Sequence, residues 1–344
     1  MKDGVSGWRL RVGTMGSLLA MACFFAASGD ASGQAEISQA EISEAEISQA
    51  EISQAEKRTV ELPAARMAYV EAGDREGRPV LFLHGIPTSS YLWRNVLPLV
   101  AAPGRRLIAI DFVGFGDSQG EGFGVAQQAD HLAAFVERLD LKDVTLVTHD
   151  WGAGIGLIWA SRHPERLRAF ASMEGALPPV YPRPDLASFG KAAPLFTRLR
   201  DAESGPQAVL EDNVWVETIL PASVIKPLGP EAFAAYRAPF PTPESRRPIL
   251  DMTMSLPIGG EPAAVVAAYE EAAAWWLETG LPKLVLYADP GRLQPKALAD
   301  WAAQNLKNVT TQPVGPGLHF IQEDSPEAIG RALDAWLAGL ERNG

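Results

Sequence analysis

From Thr59 to the C-terminus, short apolar segments alternate with stretches of helical spacing. Arg66 to Glu71, Val80 to Leu83, Arg106 to Ile110, Val144 to Thr148, Leu167 to Met173, Leu284 to Tyr287 and Val309 to Pro313 have the β-branched and apolar make-up of strands. Around Ser90–Val100, Val125–Leu139, Ile155–Arg162 and Ala328–Leu340, apolar residues instead recur at the spacing of one helix face. Strands and helices in alternation predict an α/β fold, with a mostly parallel central sheet flanked by helices. Between roughly Ala176 and Leu281 the alternation stops. Prolines and aromatics crowd this stretch, and helical patterns stand out at Ala208–Leu220 and Pro262–Thr279. The expected layout is a core of residues 58–175 and 282–344, with a helical cap (176–281) inserted between two of its strands. Such a cap covers the C-terminal strand ends, where open α/β sheets bind ligands.

The start of the chain follows neither pattern. Lys2, Arg9 and Arg11 precede an apolar run from Val12 to Ala27, then the small residues Ser28, Gly29, Ala31, Ser32 and Gly33. This is the layout of an export signal over residues 1–33, and the run is short for a membrane span. The expected location is the periplasm or the exterior; the alternative is an over-long start in front of a cytoplasmic enzyme. Cys23, the only cysteine, lies in this segment, so the folded part has neither disulfides nor thiol chemistry. It lacks the leucine usual three residues before a lipid-attachment cysteine, since Ala20 stands there. Residues 34–57 hold a pentapeptide repeat, Ala-Glu-Ile-Ser-Gln with one Glu variant, from Ala35 to Gln54. Its period matches neither helix nor strand, so Ile37, Ile42, Ile47 and Ile52 would spiral around a helix without forming a face. A spacer is the expected role.

Charge narrows the choice of partner. The 344 residues include 30 basic and 42 acidic ones, a net charge of −12 that argues against nucleic acid or an anionic membrane surface. No Cys/His spacing suggests zinc, and neither metal nor cofactor is expected. A small molecule and water remain as partners.

The candidate chemistry centres on Thr148-His149-Asp150-Trp151-Gly152. A buried strand precedes it, and a run of small and then apolar residues, Gly152 to Ala160, follows as a tightly packed helix would. Strand, sharp turn and helix frame the nucleophile elbow, commonly G-x-S-x-G. Asp150 stands in the nucleophile slot, with Thr148 and Gly152 at the flanking small positions. The plainer alternative is an aspartate capping a helix. As nucleophile, a carboxylate is ionised at neutral pH and attacks an sp³ carbon without a base, forming an alkyl ester.

Turnover of such an ester needs water, a base and an oxyanion site. His84-Gly85-Ile86-Pro87 follows the strand Leu81-Phe82-Leu83, where this fold places one oxyanion donor; the backbone N–H groups of Ile86 and Trp151 are the candidates. Of five histidines, His319 alone follows the last predicted strand, on a glycine-rich loop, which fits the order nucleophile, acid, histidine. Two carboxylates can orient it. Glu174 ends the strand Ala169 to Met173, and Asp289 follows the strand Leu284 to Tyr287. The Trp151 indole N–H only donates, which suits a departing anion.

Together these residues resemble the haloalkane dehalogenases of the α/β-hydrolase superfamily, over about Arg66 to Leu340. The likeness extends to Pro87-Thr88-Ser89-Ser90-Tyr91-Leu92-Trp93-Arg94-Asn95, to Ser172-Met173-Glu174, to Glu211 through Glu217 and to His319 through Pro326. The resemblance implies Asp150 as nucleophile, His319 as base and Glu174 as acid, with Asp289 as runner-up because another subfamily places its acid there. It also implies Trp151 as halide donor and Phe320 at the substrate pocket, acting on primary or secondary haloalkanes. One departure stands out. The resembled subfamily has asparagine between His-Gly and Pro, whose side chain helps hold the halide; Ile86 offers only its backbone. An epoxide hydrolase, using cap tyrosines such as Tyr181 and Tyr236, is the nearest rival. A non-catalytic binder of small ligands, favoured only by Ile86, is the rival from another class.

Overall fold

A computed structural model describes residues 57–342. The expected export signal lies outside the described residues, as does the spacer apart from Lys57. In chain order the strands are β1 (Lys57–Glu61), β2 (Ala65–Gly73), β3 (Arg78–Leu83), β4 (Arg105–Ile110), β5 (Gln119–Gly120), β6 (Val144–His149), β7 (Leu167–Met173), β8 (Lys283–Pro290) and β9 (Val309–Gly317). The longer helices are α1 (Val125–Arg138), α2 (Trp151–Arg162), α3 (Ala193–Arg200), α4 (Pro230–Arg237), α5 (Arg247–Met254), α6 (Ala263–Glu278), α7 (Lys296–Asn305) and α8 (Pro326–Arg342).

All nine strands of the described residues join one sheet, ordered β1-β2-β4-β3-β6-β7-β8-β9 with β5 beside β2. From β4 to β9 the pairing is parallel, while β1 and β2 add an antiparallel edge. Every residue of β6 is buried, as is all of β3 after Arg78, because helices cover both faces of the sheet. Side chains alternate across β3. Leu81 and Leu83 join an apolar cluster with Phe135, Trp159 and Trp276, while Val80 and Phe82 join another with Trp93 and Leu333. Strand β9 tolerates Pro313 and Pro316 because it pairs only with β8.

Three elements differ from the pattern read along the chain. The single helix expected over Ser90–Val100 is two short turns, Ser90–Trp93 and Leu97–Val100. Pro98 has no N–H for a bond to the Arg94 carbonyl, and its ring would crowd that carbonyl. The helix expected at Ala208–Leu220 is interrupted between Glu211 and Trp215, where Asn213 adopts a positive φ of 50°. The third difference corrects the cap boundary. Helix α6, assigned to the cap by its place before β8, packs on the core instead. Its Trp276 meets Phe170 of β7 edge-on, with ring centroids 4.9 Å apart, and its Tyr269 lies against Trp151 of α2. Hydrophobicity alone does not distinguish a helix lying on a sheet from one lying over it.

Phe170 has no exposed surface. Phe170→Ala should cost about 3–5 kcal/mol by opening a cavity between β7 and α6. Urea unfolding measures this; a loss below about 1 kcal/mol would contradict the packing described.

Candidate active site

The turn between β6 and α2 carries Asp150 at φ 50°, ψ −124°, a conformation uncommon for a non-glycine residue. Several backbone bonds hold it there. The Asp150 N–H donates to the Glu174 carbonyl (3.2 Å), and the Asp150 carbonyl accepts from Ala153 and Ala176 (both 3.0 Å). Close packing explains two motif glycines. A Cβ at Gly152 would strike the carbonyl oxygens of Leu83 and His84, and one at Gly85 would strike the Asp150 carboxylate.

The loop after β3 is pinned by His84. Its Nδ1 lies 2.8 Å from the Gly85 carbonyl, and its Nε2 accepts from the Phe112 N–H at 2.9 Å. Those partners fix a neutral ring protonated on Nδ1. Burial pulls its pKa down to about 4. Held this way, the loop aims the Ile86 N–H at Asp150 Oδ2, 3.0 Å away.

His319 stands between two carboxylates. Its Nδ1 is 3.2 Å from Glu174 Oε2 and its Nε2 3.7 Å from Asp150 Oδ1. Glu174 is fully buried at the end of β7. It accepts four hydrogen bonds of 2.8–3.0 Å from the backbone N–H groups of Arg292, Leu293 and Gln294, counting both of Arg292's. Asp289, the runner-up, is exposed at the end of β8, just before these donors. The structure thus brings Glu174 to the imidazole. The 292–294 donors were not among the residues singled out along the chain. Their signal is Pro290-Gly291 directly after a strand: Gly291, at φ 63°, turns the chain so that successive N–H groups converge on one anion.

Trp151 opens α2, is buried, and with Ile86 lines a small cavity walled by Phe112, Phe115, Ile155 and Met252. Phe320, expected at the substrate pocket, is not among those walls. It is fully buried behind the imidazole, with ring centroids 4.9 Å from His319 and 5.6 Å from His149. Directly after the base, its side chain turns into the second apolar cluster, beside Leu286 and Ile329.

The electrostatics follow from burial. Desolvation pushes the Asp150 carboxyl above its ordinary value, while His319 and the backbone N–H groups of Trp151 and Ile86 pull it back. Burial alone would lower His319, but the bond to Glu174 and the charges of Asp150 and Glu174 outweigh it, so the imidazole titrates above its ordinary value. His149 is held well below, by burial and by His319 beside it. Burial pushes the Tyr181 hydroxyl up to about 12. Tyr236 belongs elsewhere: its hydroxyl donates to Glu323, which also pairs with Arg94.

A profile of the α/β hydrolase fold matches residues 78–326. A haloalkane dehalogenase of Sphingobium indicum is 43% identical over 293 residues, covering 83% of this chain and 96% of that protein. One from Mesorhizobium japonicum is 44% identical over 275 residues, covering 79% of this chain and 87% of that protein. The crystal structure of the haloalkane dehalogenase DbeA from Bradyrhizobium elkani superposes with a TM-score of 0.80 at 39% identity, covering 84% of this chain and 99% of that one.

Because the Asp150 charge helps hold His319 up, Asp150→Asn should lower the imidazole pKa. An NMR titration of His319 in both forms checks the sign; an unchanged or higher value in the variant would contradict the geometry.

Proposed function

The chain belongs to the haloalkane dehalogenase family of the α/β hydrolase fold, and we propose that Asp150, His319 and Glu174 carry its hydrolysis of haloalkanes to alcohol and halide. The observation that supports this most is one imidazole between two buried carboxylates, with backbone donors on the oxygen turned away from it.

Asp150 Oδ2 is engaged by Ile86. Oδ1 faces His319 at 3.7 Å, too far for a hydrogen bond, so its lone pairs stay free. In the first step Oδ1 attacks a primary or secondary sp³ carbon, an alkyl ester forms, and halide departs toward the Trp151 indole. Poor solvation of the buried carboxylate makes this attack easier.

Alkylation removes the Asp150 charge, one of the influences that hold the His319 pKa up. The imidazole is then more fully neutral and so available to take a proton from water, while Glu174 steadies the cation that results. The hydroxide attacks the ester carbonyl, and charge develops on Oδ2 beside the N–H groups of Ile86 and Trp151. Collapse expels the alkoxide, which takes the proton held by His319, and the carboxylic acid left behind ionises, restoring Asp150 and releasing one proton to water.

Ile86 confines its effect to the first step. Its backbone serves ester hydrolysis, but its side chain offers the halide no donor. A hydrogen bond to a charged group is worth about 1.5–3 kcal/mol, or about tenfold to a hundredfold in rate. Of the two tyrosines the epoxide-hydrolase alternative would use, Tyr236 is engaged by Glu323, which leaves that alternative with Tyr181 alone. The pattern of residues 1–33 supports export, which would put this chemistry in the periplasm or outside.

Two experiments test the scheme. With 1-iodohexane, His319→Phe should accumulate an enzyme heavier by the alkyl group, and Asp150→Asn should form none. Mass spectrometry of the intact protein decides; no adduct in the histidine variant would count against the ester. Separately, Ile86→Asn should speed halide release in a single turnover by about tenfold. Equal rates in the two forms would remove the role given to this position.

A further inference from the structure

The main chain of His319 is held from two sides. From the core, the His149 ring lies 2.8 Å from the His319 carbonyl and donates to it through Nε2. From the cap, the Ser223 carbonyl accepts the N–H groups of His319 (3.0 Å) and Phe320 (3.1 Å). Asp324, only 4% exposed, closes this junction. Its Oδ1 accepts from the cap N–H groups of Ile225 (2.8 Å) and Lys226 (3.2 Å), and its Oδ2 accepts from Leu318 (3.1 Å), next to the base. Arg292 adds a bond to the neighbouring Ala222 carbonyl (3.0 Å), while its own N–H holds Glu174.

We propose that Asp324 is a positioning residue that fastens the cap segment 222–226 to the histidine loop, so that the seating of the cap governs ester hydrolysis and leaves the first step largely alone. This rests on His319 being the base, as argued above. The asymmetry comes from what holds each group. Asp150 hangs from Glu174, Ala153, Ala176 and Ile86, none of them in the segment. His319 takes its backbone N–H partner from the cap. With Asp324 gone, three backbone donors lose a buried carboxylate at once. The segment that carries Ser223 then loses its anchor to the histidine loop, and the mount of the imidazole loosens on the cap side while the His149 side stays. A displacement of about 1 Å in a catalytic group can cost about a hundredfold in rate.

The test follows halide and alcohol separately in single turnovers with 1-iodohexane. In Asp324→Ala, halide release should stay within about threefold of the parent while alcohol formation slows by about tenfold to a hundredfold, with the Asp150 ester accumulating. Asp324→Asn should show a milder form of the same split, since its amide keeps one acceptor oxygen and turns an N–H₂ toward the other donors. Ile225→Pro approaches from the cap side. It deletes one donor to Asp324 without touching the histidine loop, and Val224 already has the extended backbone (φ −125°, ψ 149°) that suits a residue before proline. It too should slow alcohol more than halide. These two variants decide if the alanine form does not fold. Halide and alcohol slowing equally, or both keeping the parent rates in Asp324→Asn and Ile225→Pro, would overturn the proposal. His319→Phe in the same assay separates the two levels. If it accumulates ester while the Asp324 and Ile225 variants turn over normally, only the cap coupling fails; if it accumulates none, the assignment of the base fails and the coupling with it.

Discussion

A buried carboxylate must be given partners without being given a permanent cation. That constraint shapes the loops at one end of this sheet. An arginine against Asp150 would neutralise the charge its chemistry uses, and an unpartnered carboxylate would take up a proton and lose that charge too. The solution is backbone N–H groups for both acids and a shared imidazole between them. Backbone dipoles are fixed in place, carry no titratable proton and cost nothing to reorganise when charge moves. The loops after β3, β6, β7, β8 and β9 each contribute one piece, and three of them bend sharply to do so. Asp150 and Glu174 both sit at positive φ, and Gly291 turns at φ 63°.

How much of this the sequence disclosed depends on the range of the interaction. Strand segments were legible because burial on both faces leaves them almost wholly apolar, and β3, β6 and β7 appear where the pattern put them. The elbow was legible because Asp150, Trp151 and Gly152 are adjacent and sterically coupled. The choice between Glu174 and Asp289 was open from the residues alone, since both end strands and the chain records no distances. What decides it physically is the turn at Pro290-Gly291, which points three N–H groups at Glu174 and leaves Asp289 in solvent. The place of α6 was hidden for a related reason: its partners, Phe170 and Trp151, lie far away in the chain. Phe320, next to His319 in the chain and 4.9 Å from its ring, is wholly buried in the second apolar cluster, a burial the chain order alone does not indicate.

Asp150 and His319 are also mounted on different parts of the molecule. Asp150 belongs to the core, wedged against β3 by glycines that leave no room for side chains. The imidazole belongs partly to the cap, since its backbone N–H ends on Ser223. In the proposed scheme this arrangement suits a two-step reaction, whose first step needs only a poised carboxylate and whose second needs water, base and acid in line.

Ile86 brings that division down to one residue. Its main chain and side chain face different events, and the substitution touches only one of them. The N–H works whichever side chain follows, because His84 fixes the loop through Gly85 and Phe112, upstream of any choice at position 86. The side chain instead lines, with Trp151, a small cavity between Phe112, Phe115, Ile155 and Met252 that Gln128 also borders. On the reading proposed above, a halide leaving beside the Trp151 indole finds no second donor in the Ile86 side chain. Main chain and side chain of one residue would then act in different steps, which is why a substitution there can slow halide release without reaching ester hydrolysis.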